Sequence, residues 1–277
     1  MPIFGLRDSA VRRLALRIFR QFNPGDVTIG HHWTGDRLRL HSFNHKGYWW
    51  HGRNRERATI ERFQRLIASG ETVIEVGAHI GYFSQLFAHL VGPEGQVVVF
   101  EPGENNLPYL HRNLAALDQA TIIEKAMSDQ PGEVSFWLED LSGQNNSLIE
   151  NYHLLEGNIA LAGLDGQVVR RSVSVQATTL DQAVGEIAAQ GRRPAFIKID
   201  VEGAELMVLE GARQTLRDIR PIFMVEITRE HAAIRELLAA NDYLLRDPDG
   251  RVLDGSPVLE GNVFCLPDED SFQRFKA

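Results

Sequence analysis

An α/β fold built on a doubly wound, mostly parallel sheet is predicted by three stretches of this sequence. Val73-Ile-Glu-Val-Gly-Ala-His-Ile-Gly-Tyr82 reads as a buried strand, a glycine turn and a helix start. Gln96-Val-Val-Val-Phe-Glu-Pro102 is a second apolar strand closed by an acid, Glu101, 26 residues after Glu75. That separation is about one strand–helix–strand unit. Pro194-Ala-Phe-Ile-Lys-Ile-Asp-Val-Glu-Gly-Ala-Glu205 repeats the pattern of a strand ending in acids before a helix. Strands alternating with helical periodicity place helices on both faces of one sheet.

The elements follow from local patterning. Residues 8–22 carry Val11, Leu14, Ile18 and Phe22 at helical spacing, with Arg12, Arg13, Arg17 and Arg20 elsewhere. Two readings stand: a cap packed on the domain, or a basic helix resting on an anionic membrane surface. Residues 26–54 are rich in His and aromatics, as in His31-His-Trp33 and Tyr48-Trp-Trp-His51. They read either as a hairpin that covers the site and helps hold an acceptor, or as a hydrophobic wrap. Residues 1–55 thus form an N-terminal extension to a domain spanning 56–277. From there helix 55–69 ends at Gly70, strand 72–76 follows, and helix 81–91 stops at Gly92-Pro93. Strand 96–100, helix 104–117, strand 120–124, a turn at 129–132 and strand 133–138 come next. The Gly- and Asn-rich stretch 141–166 reads as a long loop with one helical turn, and loops of that length are usually functional. Strand 168–176, helix 179–190, strand 195–200, helix 204–217, strand 221–227 and helix 230–240 complete the alternation. Two closing strands, 242–246 and 262–266, have no helix between them and predict an antiparallel edge.

Composition narrows the function classes. With 277 residues, 43% of them hydrophobic, the chain can bury a full core. A net charge of −8 and no run of more than two basic residues argue against a nucleic-acid partner. No apolar stretch approaches the roughly 18 residues of a membrane span. The first 22 residues hold five arginines and no signal-like apolar segment. Cys265 is the only cysteine and sits in an apolar run, so it reads as a buried strand residue in a reducing, cytoplasmic setting. Oligomeric state is not readable.

The chemistry concentrates at strand ends, where doubly wound sheets bind ligands. The loop after Glu75 is G-x-x-x-G, not the three-glycine turn that lets a backbone approach a pyrophosphate. S-adenosylmethionine suits such a loop: its carboxylate can meet the loop amides, its ammonium Glu75, and its ribose hydroxyls Glu101. A nicotinamide-dependent oxidoreductase would need a third glycine where Tyr82-Phe83 stand. A non-catalytic cofactor-binding scaffold is the other alternative, against which the acidic cluster speaks. On the strand 195–200, Phe196, Lys198 and Asp200 share a face. A lysine there needs an anionic partner, and Glu75 and Glu226 are the candidates. Glu202 and Glu205 open the next helix, where a capping role is as good a reading as a catalytic one. For an alcohol acceptor a general base is needed; Asp200 is the first candidate, Glu226 the second and His79 the third. No ligand spacing demands a metal.

With these residues in view, the sequence is similar to the FkbM-type family of S-adenosylmethionine-dependent methyltransferases. The matching segments are Val73–Ser84, Val99-Phe-Glu-Pro102, Lys125-Ala-Met-Ser-Asp129, Thr179-Leu-Asp181 and Ile197–Glu205, within roughly residues 70–230. The resemblance implies a class I methyltransferase (Rossmann-like) fold, a seven-stranded sheet whose last strand is antiparallel. It implies that Glu75, Gly77, Ala78, Gly81 and Tyr82 surround the methionine end of the cofactor, Glu101 and Pro102 the ribose, and Ala126 and Met127 the adenine. It also implies O-methylation of a hydroxyl on a glycan, lipid or secondary metabolite. One departure stands out: the family usually carries Asn where His79 stands. His79 either bonds the cofactor carboxylate or the acceptor, or is a tolerated loop residue.

Overall fold

The computed structural model describes residues 21–150, 168–255 and 259–276. The basic helix expected over 8–22 lies almost wholly outside them. The described chain opens on a hairpin of β1 (Asp26–Gly30) and β2 (Arg37–His41), a short helix α1 (Lys46–His51) and α2 (Arg57–Leu66). Regular alternation then sets in with β3 (Thr72–Val76), α3 (Tyr82–Val91), β4 (Gln96–Phe100), α4 (Leu107–Leu114) and β5 (Ala120–Ile123). After β6 (Ala126–Met127), β7 (Gly132–Glu139) and β8 (Arg170–Thr178) come α5 (Leu180–Ala189), β9 (Pro194–Ile199) and α6 (Glu205–Glu210). The chain closes with β10 (Ile222–Ile227), α7 (His231–Ala239), β11 (Leu244–Arg246), β12 (Gly261–Leu266) and α8 (Glu269–Lys276).

Seven strands form the main sheet in the order β11-β12-β10-β9-β3-β4-β5. The neighbours from β10 to β5 are parallel, and β12 runs antiparallel to both β10 and β11. The predicted doubly wound sheet is therefore present. The last strand, β12, is inserted one place in from the end, with β11 outside it. Strand order reverses between β3 and β9, and the crevice above that switch point is where such sheets hold ligands.

Residues two apart on a strand share a face, so the sheet divides two cores. Val73, Phe196, Val97, Met224 and Phe264 pack on one side with α2, α3 and α8; Ile74, Ile197, Ile199, Phe223 and Cys265 pack on the other with α5 and α7. Leu38, Leu40 and Tyr48 from the N-terminal segment belong to the first core, so that segment is bound into the main body.

Three expectations are revised. β7 and β8 pair antiparallel, with β6 parallel beside β8, in a separate three-stranded sheet outside the main one. The helix expected over 204–217 stops at Glu210 and resumes as a π-helical turn over Thr215–Ile219. A side chain at Gly211 would come within 2.2 Å of the Ser128 carbonyl, and the Asp181 carboxylate takes the Gln214 and Thr215 amides. The C-terminal helix α8 was not expected; only Phe272 and Phe275 mark its apolar side.

Candidate active site

Register sets the polar groups of the site. Glu75 on β3 lies opposite Lys198 on β9, and Lys198 lies opposite Met224 on β10, two residues before Glu226. All share one face. The Lys198 ammonium is buried, 2.9 Å from Asp200 Oδ2, 3.5 Å from the Gly77 carbonyl oxygen and 3.8 Å from Glu75 Oε1. Burial would lower its proton affinity, but the carboxylates of Asp200 and Glu75 outweigh that and hold it charged. The lysine thus has the partners its position required. Glu75 is fully buried and pushed up to about 7 by burial. The Ser84 hydroxyl donates to its Oε2, while Oε1 has no hydrogen bond. Glu75 is not among the residues lining the cavity described below, and Lys198, a positive charge of the chain itself, faces it.

The glycine loop is shaped by close backbone approach. Gly77 has φ +81°, and a Cβ there would sit 1.7 Å from the Asp200 carbonyl oxygen. Gly81, at φ +86°, opens α3, and a Cβ would fall 2.8 Å from Leu110 Cδ1; it packs against the core rather than lining the cavity. The amides of Gly77 and Ala78 donate to the Phe100 carbonyl, that of Gly81 to Ala78, and that of His79 to Glu101. All four amides thus already have protein acceptors. His79 adopts φ +54°, the left-handed conformation that Asn and His tolerate better than most residues. Tyr48 donates to its Nδ1 at 2.9 Å, and its Nε2 donates to the Ser142 carbonyl at 2.9 Å. Burial lowers the ring to about 4. A neutral imidazole with both nitrogens engaged is neither a base nor a carboxylate ligand, and His79 is withdrawn from both roles. It is a structural tie.

Glu101 is buried at the end of β4. Its Oε1 accepts from the Gly103 amide (2.8 Å) and Asn106 Nδ2 (3.2 Å), and its Oε2 from the His79 amide (2.8 Å). Burial outweighs these donors and lifts the carboxyl to about 7. A carboxylate offers about four lone-pair sites, and these three donors leave about one of them unused. Glu101 and Pro102 line a cavity of about 260 Å³ together with Gly77, Ala78, His79 and Tyr82. Phe100, Ala126, Met127 and Phe136 give one end an apolar surface suited to a planar base. Glu101→Ala is expected to reduce donor binding below detection by calorimetry, whereas Glu101→Gln, which keeps a hydrogen-bond acceptor, retains part of it.

Asp200, Glu202 and Glu226 line the same cavity, with Tyr48, Arg55 and Glu56 beside them. The negative charge of Asp200 raises the Glu226 carboxyl well above the usual range, and burial and Glu202 add to it. Glu205 is fully buried and takes the Gly203 amide at 2.8 Å, so it closes its own turn. The motif Thr179-Leu-Asp181 is likewise structural: Thr179 caps α5, and Asp181 holds the start of the π-helical turn. Among the described residues no group of three His, Cys, Asp or Glu is placed to hold a metal ion.

Sequence reasoning did not single out Arg55 and Glu56; Tyr48 and the lining loop 143–148 fall in the stretches 26–54 and 141–166, for which a covering or functional role was one of the readings. Glu139 organises that loop: buried, it accepts from the amides of Leu141, Ser142 and Asn145 and from the Ser142 hydroxyl. A strand-terminal Glu followed by Asp140 and Leu141 gives no local sign of this.

The strand order, the acid–glycine turn after β3 and the buried acid after β4 define a class I S-adenosylmethionine-dependent methyltransferase. Residues 75–245 match the methyltransferase FkbM domain, and the chain belongs to that family. It is similar to methyltransferase sdnD of Sordaria araneosa, with 29% identity over 223 residues, 74% of this chain and 81% of the relative. It is 24% identical to the 2-O-methyltransferase NoeI of Sinorhizobium fredii over 151 residues, 54% of this chain and 61% of the relative. A crystal structure of a methyltransferase FkbM from Methylobacillus flagellatus KT superposes with a TM-score of 0.43 at 16% identity, covering 71% of this chain and 43% of that one.

Proposed function

We propose that this methyltransferase acts on a hydroxyl of a glycan, lipid or secondary metabolite, and that Glu226, supported by Asp200, takes the hydroxyl proton. The carrying observation is that Asp200 and Glu226 line one cavity, where the Asp200 charge raises the Glu226 carboxyl and makes it a stronger base than an ordinary carboxylate. The kinship with a 2-O-methyltransferase supports an oxygen acceptor. S-adenosylmethionine supplies an activated methyl and a neutral sulfide leaving group. The chain must align the acceptor with that methyl and receive a proton. Asp200, the first candidate by sequence, is ion-paired to Lys198 at 2.9 Å. It is better placed to accept the hydroxyl's hydrogen bond and keep Glu226 basic than to bind the proton itself. No helix among the described residues is long and apolar enough to cross a membrane, and a cytoplasmic site of action is part of the proposal.

The test is methyl transfer to a panel of glycans, hydroxylated lipids and polyketide alcohols, followed by mass spectrometry of the product. Glu226→Gln is expected to lower kcat by about 10²–10³-fold with S-adenosylhomocysteine affinity unchanged. The base must be deprotonated, so activity falls as pH drops through the pair's raised apparent pKa and is level above it. In Glu226→Gln that limb disappears. Methylation confined to nitrogen or sulfur, or a Glu226→Gln enzyme with full kcat, would exclude this reading.

A further inference from the structure

The methionine half of the donor carries a carboxylate into the cavity, and the loop amides that the sequence offered for it are engaged with protein oxygens. Among the described residues three cations line the cavity: Lys125, Lys198 and Arg55. Lys198 is held by Asp200 and Glu75. Lys125 is exposed and lies next to Ala126 and Met127, at the apolar end. Arg55 is different. Its guanidinium carbon stands 4.4 Å over the Tyr48 ring, and its buried Nε has no hydrogen-bond partner. It makes no ion pair within 4.0 Å among the described residues. The charge of its neighbour Glu56 favours the guanidinium, but that carboxylate accepts from Asn262 at 2.9 Å and makes no ion pair with Arg55 within 4.0 Å.

We propose that Arg55 receives the carboxylate of the methyl donor. A guanidinium presents a planar fork that matches a carboxylate with two parallel hydrogen bonds. Stacking on Tyr48 fixes the side chain beforehand, so little freedom is lost on binding. Tyr48 is in turn bonded to His79 of the glycine loop. That places Arg55 at the loop end, where the methionine half belongs once adenine occupies the surface of Met127 and Phe136. The residue lies outside the stretch 75–245 that matches the family, so the family match does not assign it. The inference rests on the cavity being the donor site.

Isothermal titration with S-adenosylhomocysteine and with 5′-methylthioadenosine, which keeps the adenosine and sulfur but lacks the carboxylate, tests it. Arg55→Met is expected to weaken S-adenosylhomocysteine by about 10- to 100-fold and to leave methylthioadenosine unchanged. Arg55→Lys, a point charge without the fork, should fall between. Equal loss of both ligands would mean a damaged wall and would overturn the assignment. So would unchanged S-adenosylhomocysteine affinity; if the acceptor's KM then rose, Arg55 would serve an acidic acceptor instead. Failure of the unaltered protein to bind either ligand would instead remove the donor cavity itself, a result distinguishable from the others.

Discussion

Gly77→Ala is expected to remove donor binding and to lower unfolding free energy by about 3 kcal/mol or more. Two separate penalties combine at this position. The backbone sits at φ +81°, which L side chains rarely adopt, and the added carbon would stand 1.7 Å from the Asp200 carbonyl oxygen. That oxygen cannot retreat easily, because the Asp200 amide is bonded to the Val76 carbonyl at 3.0 Å. Relief must come from parting β3 and β9 just where the cavity floor lies, so the defect reaches binding as well as stability. Gly30→Ala is the matched control, since nothing lies within 4 Å and its φ is ordinary. Urea unfolding and calorimetry read both effects. A Gly77→Ala protein as stable as the unaltered one would mean that the two strand ends slide apart freely, and the close-approach argument would fail.

Lys198→Met carries the other large effect. Among the described residues the ammonium is the cation ion-paired to Glu75 and Asp200, beside the raised Glu226, and removing one partner of a buried ion pair typically costs about 3–5 kcal/mol. The loss depends on pH in a definite direction. Glu75 is already lifted to about 7 with the lysine present, and it rises further without it. A carboxyl whose folded pKa lies above its unfolded value favours folding fully below the unfolded pKa, and that contribution is lost as pH climbs toward the folded pKa. The variant should therefore be closest to the unaltered protein near pH 5 and furthest from it near pH 8. Adding Glu75→Gln should recover a large part of the deficit near pH 8. A deficit independent of pH, or no rescue by the second substitution, would show that packing and not charge sets the role of Lys198.

What could be read from the sequence depended on the range of the interaction. The alternation of Val73, Glu75, Phe196, Lys198 and Asp200 follows from strand period, so the shared face of Glu75 and Lys198 was legible, and with it the ion pair. The positions of Glu101 and Asp200 at strand ends were legible for the same reason. Hydrogen-bond saturation was not: that four loop amides bond protein oxygens depends on how β4 and β9 close around the turn. Nor was Arg55 legible, since an arginine before a helix looks like solvated surface until Tyr48 is folded beneath it. The separate pairing of β7 with β8 spans a long connection whose length says nothing about its partner. Helix α8 escaped because two aromatics suffice to anchor it, with Phe275 buried against Phe264.

His79 joins chain segments 31 residues upstream and 63 residues downstream of it, and the downstream attachment is to a main-chain oxygen, that of Ser142. His45 adds a second contact to the same oxygen at 3.2 Å. A carbonyl is present whatever amino acid occupies position 142, so these two attachments do not depend on the side chain there. Gly143, whose added Cβ would fall 2.2 Å from Asn106 Oδ1, Asn146, which bonds Asn105 and the Glu139 amide, and Ser147, which donates to the Glu202 carbonyl, hold the segment as well. Descendants of this protein can vary the molecules admitted chiefly through the lining position Leu148 while the mooring is inherited unchanged.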